Sequence, residues 1–127
     1  MRIVSLVPSL TLTLFDIGLT DHEIVGRTPW CIHPAGAVEA VPVVGGTKTP
    51  TLSKILAAKP DLVVMDRDEN PKAVYDWCNE QGLATFVCHV QHPSEVPAML
   101  RDLGEAVGKQ VAACLLYTSD AADDLWC

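Results

Sequence analysis

Asp66-Arg67-Asp68-Glu69-Asn70 packs three carboxylates, one guanidinium and one amide into five consecutive residues. In such a run Arg67 can pair in bidentate fashion with a propionate- or phosphate-like group. Glu69 or Asn70 can bond the amide side groups of a ligand. Carboxylates also suit a hard cation, although calcium takes about 6–8 oxygens. The plainer reading is a solvated loop in which Asn70 caps the helix that Pro71 opens. A second constellation is Trp30-Cys31-Ile32-His33. Thiolate and imidazole suit soft or borderline metal ions. Two ligands do not make a site, and no other Cys or His stands at metal-binding spacing from this pair. Cys31 reads equally as a small buried hydrophobe, with His33 on a backbone carbonyl. Trp30, in a Pro-flanked loop, offers a flat apolar face to a macrocycle or an aromatic chelate.

Gly45-Gly46-Thr47-Lys48 lacks the GxxxxGK[ST] spacing of a phosphate loop, and GxGxxG is absent. It reads as a turn that brings backbone close to a cleft, with Lys48 at the rim. His89 and His92 read as structural. No Ser-His-Asp or Cys-His pairing and no GxSxG is present, so acyl-transfer catalysis has no support. A small enzyme built on Cys31 and His33 is the remaining catalytic reading.

These residues need elements to hold them. Residues 2–7 form a short apolar run ended by Pro8, which predicts a buried strand. Ser9 is placed to cap a helix over 10–19, with Gly18 near its end. Residues 23–26 predict a second strand, 52–59 a helix, 61–66 the clearest strand, and 71–80 a helix. Residues 84–88 predict a fourth strand, and Ser94 precedes a helix running to Val107 and stopped by Gly108. Strand and helix alternate four times, which predicts an α/β fold with a four-stranded parallel sheet and helices on both faces. Ligands of such sheets bind outside the carboxyl ends of the strands. Ser9, Trp30, Cys31, Thr47, Arg67 and Glu69 all fall there and are the candidate ligand-binding residues.

With 127 residues the chain fits one core. The formal charge of −7 excludes a nucleic-acid partner, which needs clustered Lys and Arg. No apolar stretch is long enough for a membrane span. The first residues carry no h-region, so the chain as written is expected in the cytoplasm. Five cysteines without a CxxC pair suit a reducing compartment.

The strand-end segments carry a family resemblance. RIVSLVPSLT, VGRTPWCIHP, VPVVGGTKTPTLSKILAAKPDLVV and the DEN before a helix resemble the substrate-binding proteins of cobalamin, iron-siderophore and related ABC importers. These are the class III, helical-backbone receptors, most of them periplasmic or membrane-associated. The resemblance runs in order over residues 2 to about 108. It implies a Rossmann-like N-terminal lobe over 1–108, with 109–113 starting an inter-lobe helix. It also implies a cobalamin- or siderophore-type metal complex as ligand, an ABC permease as partner, no resident cofactor and no catalysis. Two departures matter. Leu12 stands where relatives place Glu, and the first turn of the helix after Pro71 lacks a carboxylate that could meet permease arginines. With the absent signal, these favour as alternative a cytosolic corrinoid or metal-complex sensor or carrier without a permease.

Residues 114–123, CLLYTSDAAD, are similar to an in-frame translation of a transposon-end adapter from sequencing libraries. Residues 114–127 are accordingly expected to be an artefactual tail. Without it the acidic count falls from 16 to 13, the net charge to −4, and three cysteines remain.

Overall fold

The computed structural model describes residues 1–33 and 35–109. The expected tail at 114–127, and all but the first residue of the expected inter-lobe helix at 109–113, lie outside the described residues. The chain alternates β1 (Ile3–Ser5), α1 (Pro8–Asp16), β2 (Ile24–Gly26), α2 (Leu52–Ala58), β3 (Leu62–Asp66), α3 (Lys72–Glu80), β4 (Thr85–Cys88) and α4 (Val96–Val107). Short 3-10 turns occupy Val38–Ala40 and Pro93–Glu95.

All strand pairs are parallel, in the order β2-β1-β3-β4. A parallel bridge from Arg27 to Val43 extends the sheet beside β2. Side chains alternate between the faces because the strand period is two. Ile3, Leu62 and Val64 therefore meet Leu10, Leu14, Leu103 and Val107 of α1 and α4. Val4, Val63 and Met65 meet Ile55, Val74 and Cys78 of α2 and α3 on the other side. Helices thus cover both faces. No helix among the described residues is long and apolar enough to cross a membrane.

Element limits move for local reasons. Helix α1 starts at Pro8, whose fixed φ suits a first helical position, so Val7 is the N-cap and Ser9 lies inside the first turn. Ser94 sits in the 3-10 turn, and Glu95 precedes α4. Gly108 ends α4 in the left-handed conformation, φ 73°. The strand order reverses between β1 and β3, because β2 lies to one side of β1 and β3 to the other. That reversal leaves a crevice at the carboxyl ends of the two central strands.

Candidate functional site

One side chain ties together the segments around the crevice. Asn70 is 6% exposed. Its Nδ2 donates to Leu6 O (3.2 Å) at the end of β1 and to Thr47 O (2.8 Å) in the 45–48 turn. Its Oδ1 accepts from Asp66 N (2.8 Å) at the end of β3. The expectation that Asn70 caps α3 is corrected: Pro71 is the N-cap position, without a side-chain cap bond. The amide is engaged by three segments that the sequence keeps far apart.

The 66–70 loop also folds on itself. Asp66 Oδ1 accepts from Asp68 N (2.8 Å) and Glu69 N (3.2 Å). Arg67 N donates to Cys88 O (2.8 Å), which joins the loop to β4. Lys48 Nζ donates to Asp68 O (2.9 Å), and His89 Nε2 stands 3.6 Å from Asp68 Oδ2. Thr47, Arg67 and Glu69 are thereby held in one rim. The Arg67 and Glu69 side chains are exposed. The Arg67 guanidinium makes no ion pair among the described residues.

A second knot fixes the loop after β2. Cys31 is fully buried, and its Sγ lies 3.2 Å from both Thr11 Oγ1 and Thr28 Oγ1. Thr11 Oγ1 donates to Val7 O (3.0 Å) and lies 2.8 Å from Ser5 Oγ. Arg27 reaches the same loop, with Nε donating to Val41 O (2.8 Å) and Nη1 to Cys31 O (3.2 Å). The thiol is buried with both hydroxyls as its neighbours, so Cys31 is not exposed at this surface. Its neighbour Trp30 points the other way and is 68% exposed, with Ile32 at 60%. Ser9 is exposed on the first turn of α1, its carbonyl accepting from Thr13 Oγ1 (3.0 Å).

Sequence reasoning passed over Arg27, Thr11 and Thr28. The one available signal was an arginine and a threonine directly after a strand, in a proline-containing loop. Among the described residues no group of three His, Cys, Asp or Glu is placed to hold a metal ion.

Hollows indent the surface of the described residues. One of about 580 Å³ lies against the end of β3 and is lined by Met65, Asp66, Arg67, Asn70, Pro71, Lys72, Tyr75 and Val87. Another, about 540 Å³, lies at the amino ends of the strands beside Arg2, Asp21, Lys54 and Ala58. The first adjoins the rim. Burial pushes the Cys78 thiol above its ordinary value of 9.0. Burial does the same to Cys88, reinforced by the nearby Asp66 carboxylate. Neither is a candidate nucleophile.

The family described as "Periplasmic binding protein" matches residues 3–119. No curated protein sequence matches the chain. Among solved structures, a periplasmic heme binding protein from Pseudomonas aeruginosa superposes with a TM-score of 0.81 at 22% identity, over 93% of this chain and 43% of that one. The periplasmic vitamin B12 binding protein BtuF of Vibrio cholerae gives 0.81 at 23% identity, over 96% and 48%. The heme binding protein HmuT gives 0.75 at 30% identity, over 91% and 38%. The chain therefore spans less than half the length of these structures.

Proposed function

The chain belongs to the periplasmic binding protein family, and from that premise we propose that residues 1–108 are the N-terminal lobe of a two-lobed receptor. The receptor captures a macrocyclic or chelated metal complex, of the heme, cobalamin or siderophore kind, and delivers it to an ABC permease. The family is one of substrate-binding transport proteins, and this chain acts as a binder rather than a catalyst. The complex is its cargo.

One observation carries the reading: Asn70 gathers the end of β1, the 45–48 turn and the 66–70 loop at the strand-order reversal. Open α/β sheets take ligands at that place. Trp30, exposed after β2, supplies a flat face of the size such ligands require. Thr47, Arg67, Glu69 and Ser9 complete this lobe's share of the wall. The opposing wall comes from the second lobe, whose closure buries the ligand.

The test uses the complete gene product, titrated with hemin and with cyanocobalamin. At least one binds, and Trp30→Ala weakens it by about tenfold or more, equivalent to about 1.4 kcal/mol. Binding of neither would sink the reading; unchanged affinity in the variant would remove Trp30 from the wall.

A second reading has its own observation. The first turn of α3 holds no acidic residue, so a carboxylate for permease arginines is missing there. A cytosolic corrinoid or metal-complex carrier without a permease needs none. Co-purification of permease subunits from membranes with the complete protein would exclude it.

A further inference from the structure

We infer that Arg27 is a positioning residue for Trp30: its guanidinium braces the turn over residues 28–31, so that the indole is presented from a fixed corner rather than from a loose loop. This rests on the binding reading above and adds the residue that holds its aromatic contact in place.

Thr28-Pro29-Trp30-Cys31 is a β-turn. Cys31 N donates to Thr28 O (3.1 Å), and Pro29 stands at the second position, where its fixed φ suits the turn. Trp30 follows at the corner, exposed, while Thr28 and Cys31 at the two feet are fully buried. Cys31 Sγ, beside the hydroxyls of Thr11 and Thr28, seats the far foot on α1.

Arg27 holds the turn from the sheet side. Its backbone belongs to the sheet extension: its N–H donates to Pro42 O (3.0 Å), and its carbonyl accepts from Val44 N (2.8 Å). Its half-buried side chain is then spent on main-chain carbonyls. Nε donates to Val41 O (2.8 Å), and Nη1 donates to Cys31 O (3.2 Å) and, at greater length, to Thr28 O (3.4 Å). No carboxylate pairs with it among the described residues. The first and last carbonyls of the turn thus meet one nitrogen, and a second nitrogen of the same rigid plane ties them to the 41–44 segment. A guanidinium offers such a fork of donors in fixed directions, whereas an ammonium has a single nitrogen. Tryptophan adds only two torsions of its own, so fixing the backbone beneath it removes much of the ordering cost of binding.

The experiment has two arms, both on the complete protein. With fluorotryptophan incorporated, the Trp30 fluorine resonance is the one that disappears in Trp30→Ala. It is a single line in the wild type and is split or broadened in Arg27→Gln, with the other tryptophan lines unmoved. In titrations with hemin and with cyanocobalamin, Arg27→Gln weakens the bound probe by about fivefold when Trp30 is present. The loss is less than about twofold in the Trp30→Ala background, because coupled residues are not additive. Arg27→Lys keeps the charge but not the fork; it gives a smaller loss with the same dependence on Trp30, and serves where the glutamine variant does not fold.

An unchanged Trp30 line in the Arg27 variants overturns the inference. So does an affinity loss of equal size with and without Trp30, which would make Arg27 a purely structural residue and leave the binding reading intact. Uptake of neither probe removes the binding reading, and the positioning role with it.

Discussion

Cys31 has no solvent exposure, and its Sγ contacts the hydroxyls of Thr11 and Thr28, both at 3.2 Å. Its replacement tests packing rather than ligand contact. Cys31→Ser puts a more polar, smaller group in the same knot and costs about 1–2 kcal/mol of stability. Affinity of the folded complete protein stays within about twofold. Urea unfolding beside a ligand titration checks both, and a selective loss of affinity would return Cys31 to the binding wall. Cys78 and Cys88 give a pH prediction. Burial raises both above 9.0 in the folded state, with Asp66 adding to Cys88. Above that pH the unfolded chain loses protons that the folded chain retains. Their contribution is thus complete below about pH 9 and is lost as pH rises further. The urea midpoint falls between pH 7 and pH 10, and the fall is smaller in Cys78→Ala/Cys88→Ala. An equal fall in that variant would assign the effect to other groups.

At the scale of elements, the 45–48 turn is the most sensitive piece of the rim. Gly45 has φ +116°, and an added Cβ would meet Thr51 N and, at 2.8 Å, Pro50 Cα. Those obstacles are backbone and cannot rotate away. Gly45→Ala therefore costs about 3 kcal/mol and displaces Thr47 from Asn70, which thermal unfolding measures. A loss within about 0.5 kcal/mol would contradict the account. The strands were readable because each is a short apolar run between breakers: 61–66 yields Leu62–Asp66 and 84–88 yields Thr85–Cys88. Helix periodicity and Gly108 located α4, whose inward residues Leu100, Leu103 and Val107 are buried. Other features depend on contacts across the chain. Asn70 resembles a cap in sequence because it precedes Pro71, yet its decisive partner, Leu6, lies 64 residues away. Cys31 beside His33 suggests a surface pair until Thr11, 20 residues earlier, takes the thiol. The shift of the α1 cap from Ser9 to Val7 is local, and Pro8 alone explains it.

For the molecule as a whole, the decisive fact is proportion. The chain covers 43% of the Pseudomonas aeruginosa heme binding protein and 48% of the Vibrio cholerae vitamin B12 binding protein, with TM-scores of 0.81. On the proposed reading one lobe gives one wall, and small ligands owe their affinity to burial between two. On the same reading its own contribution is a pre-shaped rim of bonded loops and one exposed tryptophan. The measurement that tests this most directly is a crystal structure of the complete protein with its bound metal complex. The account predicts the ligand outside the carboxyl ends of β1 and β3, against Trp30, Thr47 and Arg67, with the Asn70 bonds intact. A ligand seated instead in the hollow at the amino ends, beside Arg2 and Lys54, would contradict it.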